Sequence, residues 1–310
     1  MSSELPLNMD IARFRFSFQV TEPISLPEYA GSKLRGAFGR ALRMISCMTK
    51  QKDCHACPLY RSCPYPQIFE KPAPLEHHLQ KFSQVPNAYV IEPSQWGRAH
   101  YEVKDILYFD MVLFGRAIFQ MPLIAYAWKR AFEREVGHGK AELIDVHYLS
   151  PNGNVISIYE EDKIVLPSIE TIEMPTPSDK LVLNLHTPLR LQHNGQPLNN
   201  TQVTIERFVI TLAKRLILLA EFHADQKLEI DFAELKEAIA QLKDEKQLYW
   251  KNWTRYSSRQ KQTMVLGGLM GTWELSDVSP LIYELIYLGQ WLHCGKNATF
   301  GLGGYTVTNL

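Results

Sequence analysis

From position 12 to position 20 the chain alternates strictly. Arg13, Arg15, Ser17 and Gln19 are polar, and Phe14, Phe16, Phe18 and Val20 are apolar. A period of two predicts a strand with one buried face. After the proline-bounded loop EPISLPEY, residues Leu34, Phe38, Ala41, Leu42 and Ile45 recur at helical spacing. They predict an amphipathic helix over residues 31–45, with Lys33, Arg35, Arg40 and Arg43 on its opposite side. Residues 72–100 read as loop with a short strand at AYVIEP. A strand over 105–114, a helix over 122–135 stopped by GHGK, and a strand pair, LIDVHYL and NVISIYE, follow.

Residues 166–179 are rich in Pro, Ser and Thr and read as a linker. The pattern then restarts. A strand over 180–191 precedes a long amphipathic helix over 204–223, for which Thr201 or Thr204 is a plausible cap. A shorter helix covers 232–242, two strands at 249–256 and 262–274 form a hairpin, and a helix over 280–293 leads into the last strand, GLGGYTVT. Alternating strands and helices that include hairpins fit an α+β class with antiparallel sheets. Two tandem ferredoxin-like (split βαβ) domains are the simplest account, at residues 1–165 and 180–310.

The composition agrees. At 310 residues the chain is long enough for two domains, and its 45% hydrophobic and 21% charged residues are ordinary for a globular protein. The 33 basic residues equal the 33 acidic ones, so any nucleic-acid surface must come from local segregation of charge. The most apolar stretches are interrupted by Arg116, Gln120, Lys214 and Arg215, which argues against a membrane span. The N-terminus lacks a basic patch followed by an apolar run, so a cytoplasmic location is expected, where thiols stay reduced.

That expectation colours the reading of the cysteines. Cys47, Cys54, Cys57 and Cys63 fall in one loop, residues 47–63. Four thiolates are the ligand set of a structural zinc site or, alternatively, of an iron–sulfur cluster. Cys63-Pro64 keeps the second option open, while Cys294 is isolated. A second signal is the run from Gly295 to Tyr305, in which Gly295, Gly301, Gly303 and Gly304 permit close backbone approach beside Lys296. It suggests a loop that offers backbone N–H groups to a phosphate, or simply a tight turn. A third signal is charge. Between Lys33 and Arg61 lie seven basic residues and one acid, Asp53. Lys251, Arg255, Arg259 and Lys261 fall in an acid-free stretch beside Trp250, Trp253 and Tyr256. Cations neutralise phosphates and aromatic rings stack on unpaired bases. Neither a zinc-protease HExxH motif nor a GxSxG nucleophile elbow is present, and ten histidines are scattered along the chain.

Taken together, HCGKNATFGLGGY resembles the glycine-rich signature that ends the RAMP superfamily of CRISPR-associated RNA-binding proteins. KLRGAFGRALR with the cysteine loop and CPYPQIFE, the piece YVIEP…LFGRA…GHGK, the strand LHTPLRL, and RYSSRQKQTMVLGGLMGTWEL are similar to segments of one branch, the endoribonucleases of the sixth Cas family that process CRISPR precursor RNA. The blocks run in order from Lys33 to Tyr305.

The resemblance implies tandem ferredoxin-like domains that bind a repeat-derived RNA hairpin and cleave on its 3′ side without a catalytic metal. The 2′-hydroxyl attacks the adjacent phosphodiester and leaves a cyclic phosphate. Such chemistry needs a base, an acid and cations near the phosphorane, and histidine suits the proton transfers. Many relatives carry that histidine just after the first helix, where this chain has its cysteine loop. The candidates are therefore His55 within it, His293 before the glycine run, then His77, His78 and Tyr29. Lys33, Arg35, Arg40, Arg255, Tyr256, Arg259, Lys261, Gly295, Lys296, Gly301 and Gly303 are the expected RNA contacts. The alternative reading is a non-catalytic RAMP subunit that holds a guide RNA beside other Cas subunits, and no membrane partner is expected in either case.

Overall fold

The computed structural model describes residues 5–74, 85–94, 97, 100–257 and 262–310, with side chains omitted at 255–257 and 262–265. The chain divides into two compact units. One holds residues 9–171 and 222–224, and the other holds the first eight residues, 172–221 and 225–310.

In the first unit the predicted alternating segment is strand β1 (Ile11–Glu22), helix α1 is Gly31–Ser46, and a short helix α2 (Pro64–Phe69) follows the cysteines. Strands β2 (Tyr89–Pro93) and β3 (Ile106–Phe114), helix α3 (Met121–Arg134), and strands β4 (Lys140–Leu149) and β5 (Val155–Ser157) complete the unit. The sheet order is β2-β3-β1-β4-β5 with every pair antiparallel, so β1 is central although its partners lie far along the chain. This is the split βαβ arrangement with one extra edge strand.

Phe14, Phe16 and Phe18 are fully buried on one face of β1. Phe16 stacks on Phe109, Phe18 lies 4.0 Å from the Phe132 ring centroid, and Trp128 from α3 stacks on Phe38 from α1. The alternation therefore places one aromatic layer between sheet and helices. On the other face the intervening arginines are neutralised by fork-like pairs. Arg13 binds Glu92 and Arg15 binds Asp110, each through two hydrogen bonds. Burial raises the Asp110 carboxyl above its usual range, and Arg15 opposes that shift.

The second unit repeats the plan. Its elements are β6 (Lys180–Leu189), α4 (Ile205–Ala224), α5 (Phe232–Gln241), β7 (Lys243–Ser257), β8 (Gln262–Ser276), α6 (Pro280–Leu292) and β9 (Tyr305–Asn309). The sheet order is β7-β8-β6-β9, again antiparallel with the first strand inside. Thr204 caps α4 by accepting from the Arg207 N–H, as one of the two sequence candidates required.

Two elements depart from the sequence reading. The loop expected through Pro66 contains α2, because Pro64 at the first helical position costs no backbone donor and Ile68 and Phe69 have a core to enter. Strand β7 begins at Lys243, six residues earlier than its pattern suggests. Its polar start is held by ladder pairing to β8 and by Trp273, whose indole donates to Asp244.

The aromatic layer of the first unit is its principal stabilising feature. Trp128 is completely buried, touches four aromatic rings, and aims its indole N–H at the Met111 sulfur. Trp128→Ala is expected to destabilise this unit by about 3–5 kcal/mol, measured as a lowered midpoint for its transition in chemical denaturation.

Candidate functional site

The glycine-rich loop is built by strand β6. Pairing of β6 with β8 shifts register between Leu185 and Leu189, and its pairing with β9 ends at Leu185 with Tyr305. The freed stretch, His186 to Pro188, pairs with the glycine run instead. The His186 and Thr187 N–H groups both donate to Gly304 O, and Gly303 N–H donates to Pro188 O. Thr187 Oγ1 donates to Gly301 O and accepts from Gly304 N–H, each at 2.7 Å. Further along, Lys296 N–H donates to Arg190 O, and the Arg190 guanidinium donates to Gly267 O.

This architecture corrects one expectation. The loop N–H groups of Cys294, Lys296, Phe300, Gly301, Gly303 and Gly304 point inward to protein acceptors and not outward to an anion. The glycines serve close approach. A Cβ on Gly303, where φ is +70°, would sit 1.8 Å from Cys294 O, and one on Gly304 would meet the His293 ring at 2.6 Å. Among the expected RNA contacts of this domain, Lys296 is exposed, whereas Gly301 and Gly303 are buried.

His293 is 1% exposed, adopts φ +56°, and sets Nδ1 3.2 Å from Leu302 O. In this conformation a phosphate in solvent does not reach it. The exposed histidine at this loop is His186, which the sequence reading did not single out. Its Nε2 and the His293 Nδ1 each lie 3.1 Å from the point where a Gly304 side chain would begin. The signal was present in LHTPLRL, but local pattern alone does not bring residue 186 to residue 304.

In the first unit, α1 presents Arg40 to solvent and leaves Lys33 half-buried. Arg35 lies over the Phe69 ring at 4.2 Å. Arg43 donates to the carbonyls of Gln51 and Lys52 and so ties the cysteine loop to the helix. Cys47, Cys54, Cys57 and Cys63 line one mainly apolar cavity with Arg43, Leu59 and Tyr65. Burial raises the Cys54 thiol, Arg43 opposes that shift, and Cys47 and Cys63 add to it. As a donor set and enclosure the loop suits a thiolate metal. Among the described residues, however, no three His, Cys, Asp or Glu side chains are gathered tightly enough to form a ligand group. His55 is exposed, outside the cavity lining, with its ring 4.8 Å from Tyr60. Tyr29 is buried, and burial, aided by Glu92, raises its phenol well above the ordinary value.

On the β7–β8 hairpin, Tyr249 and Trp250 are 57% and 38% exposed, and the Trp250 ring covers Gly267. Trp253 is instead buried, with its ring edge-on to Phe300. Arg255 and Tyr256 belong to β7 by backbone pairing, but their side chains lie outside the description, as do His77, His78, Arg259 and Lys261 entirely.

Thr187 is the clamp of the glycine loop. Thr187→Val strands one carbonyl and one N–H, and is expected to cost about 1–3 kcal/mol. Faster hydrogen exchange at the Gly304 amide in the folded variant checks this.

Comparison with known proteins bears on both units. A family model described as the AF_1859 N-terminal domain matches residues 7–172, more than half of the chain. The model of the CRISPR-associated endoribonuclease Cas6 matches residues 183–305. An uncharacterized protein of Archaeoglobus fulgidus is 19% identical over 91% of this chain and 92% of its own length. Among solved structures, a partial Cas6-RT-Cas1–Cas2 complex shares the fold with a TM-score of 0.57 and 15% identity over 99% of this chain. This chain spans 47% of that one. A Cas6 (TTHB231) product complex matches with a TM-score of 0.57 and 12% identity over 96% of this chain and 99% of its own. The Thermus thermophilus Cas6 (TTHB231) gives 0.51 and 12% over 97% and 100%. Over residues 7–172 the chain belongs to the AF_1859 N-terminal domain family, and its second split βαβ unit, with the glycine loop clamped to its first strand, matches the model of the CRISPR-associated endoribonuclease Cas6.

Proposed function

We propose that the protein cleaves CRISPR precursor RNA within its repeat, by 2′-hydroxyl attack that leaves a 2′,3′-cyclic phosphate, and keeps the processed RNA bound. The observation that carries this reading is the Cas6 match over residues 183–305, the domain that contains the clamped glycine loop. Solved relatives sharing the fold are a product complex and a Cas6-RT-Cas1–Cas2 complex, which supports repeat RNA and other Cas subunits as partners. Among the described residues no helix is long and apolar enough to cross a membrane. RNA contacts are assigned to Lys33, Arg40 and Lys296, and base stacking to Tyr249 and Trp250, whose rings are open to solvent. His55 remains an acid–base candidate on account of its exposure. A second reading, a non-catalytic subunit that only holds guide RNA, is favoured by the burial of His293 and Tyr29. Incubating the protein with a repeat RNA in EDTA separates the two. Cyclic-phosphate product is expected, and tight binding without product would establish the second.

The cysteine loop is assigned a structural zinc, held by Cys47, Cys54, Cys57 and Cys63, with an iron–sulfur cluster as the alternative. Four protein ligands close a zinc site tetrahedrally, and the ion would cross-link a loop that has little core of its own. No step of cleavage passes through it. Cys54→Ser is expected to remove stoichiometric zinc while leaving the second domain folded. Elemental analysis showing one zinc per chain in the variant would refute the four-thiolate site.

A further inference from the structure

We propose that His186 is a catalytic residue of this chain, the general acid that protonates the leaving 5′-oxygen, an assignment that rests on the endoribonuclease reading above. Four observations converge on it. His186 is exposed, whereas His293 at the same loop is buried. Its position falls where β6 leaves regular pairing with β8 and takes the glycine run as partner. The backbone there is fixed from both sides, by the His186 and Thr187 N–H bonds to Gly304 O and by the two Thr187 Oγ1 bonds. Its ring nitrogen Nε2 lies against Gly304, at a place that any side chain on Gly304 would crowd. A residue held this way is a side chain on a rigid support, which is what positioned proton transfer requires.

The chemistry suits the group. Histidine is the side-chain type whose unperturbed pKa lies nearest neutral pH, so it can serve as a general acid. As the 2′-oxygen forms its bond to phosphorus, its own proton passes to a solvent base. The bond from phosphorus to the 5′-oxygen breaks with its electron pair on oxygen. His186 gives that oxygen its proton and is reprotonated from water. The substrate is the phosphodiester of an unpaired nucleotide, since the 2′-oxygen must swing in line with the leaving oxygen. His293, whose ring borders the same point above Gly304, lies within hydrogen-bond distance of the Leu302 carbonyl and acts as a positioning residue.

The test uses the full chain, a repeat RNA, and a copy of that RNA with a 5′-sulfur at the scissile bond, whose thiolate leaves without an acid. His186→Ala and His186→Gln are expected to slow single-turnover cleavage of the ordinary RNA by about 10²–10⁴-fold. Affinity for an uncleavable 2′-deoxy copy should stay within about threefold, and the 5′-sulfur RNA should be cleaved near the wild-type rate. That rescue is not expected from a merely structural histidine. The same deoxy RNA should shield His186, but not exposed His193, from carbethoxylation read by mass spectrometry. Cleavage of the ordinary RNA at the wild-type rate by both variants overturns the assignment, as does equal slowing on both RNAs or loss of affinity along with rate. If wild-type protein binds the deoxy RNA yet His186 stays reactive, the assignment fails alone. If wild type neither binds nor cleaves, the endoribonuclease reading fails with it.

Discussion

In both units the first strand lies in the middle of its sheet, and everything else depends on that placement. β1 is flanked by β3 and β4, and β6 by β8 and β9. Both neighbours of each first strand come from later in the unit, so neither sheet closes until distant segments meet. The alternation of β1 is then obligatory. A shift by one residue would turn Phe14, Phe16 and Phe18 to the outer face and push arginines into the aromatic layer. The Arg13–Glu92 and Arg15–Asp110 pairs add a second restraint on register, because each joins β1 to a side chain on β2 or β3. In the second unit the same centrality brings His186 and Thr187 beside the glycine loop, so the site is a consequence of the topology.

Glycine at 303 and 304 answers to that arrangement. The loop returns so close to β6 and α6 that the Cys294 carbonyl and the His293 ring occupy the space a side chain would need. An open phosphate cradle would leave N–H groups aimed at solvent. Here six of them bond inward, and the loop instead becomes a stiff ledge with side chains at its rim, His186 and Lys296 among them. Under the proposed reading, anion recognition at such a ledge relies on side-chain charge and protons more than on the backbone.

Those facts mark what the sequence could and could not reveal. Strand β1, helices α1, α3, α4 and α6, and the long hairpin were readable, because each has a period set by its own buried face. The polar start of β7 was not, since Lys243, Asp244 and Glu245 are strand only by pairing with β8. Helix α2 was hidden by two prolines whose effect depends on their being at a helix start. Spacing identified the four cysteines as a group, and they do share a cavity, but ligand distances depend on how a loop with few core contacts closes. His186 was invisible as a site residue because its importance arises from long-range pairing with Gly304, while His293, prominent in the glycine motif, turned out to be buried by that same motif.

Charge is the last constraint, and it narrows how such a protein can hold RNA. The chain is neutral, and several of its basic residues are already engaged. Arg13 and Arg15 are locked to carboxylates, Lys129 pairs with Asp162 and Lys140 with Glu22. On the basic side of α1, Arg35 rests on Phe69 and Arg43 anchors the cysteine loop. The helix therefore uses part of its charge to organise its own surroundings. Under the proposed reading, affinity draws less on counterion release than the basic runs suggest. It draws more on shape and on stacking against rings such as Tyr249 and Trp250, which stand open on the long hairpin. Stacking tolerates many base sequences but requires unpaired bases. A protein built this way distinguishes the single-stranded flank of a hairpin from its stem, and the same flank is where a 2′-oxygen is free to align with its leaving group.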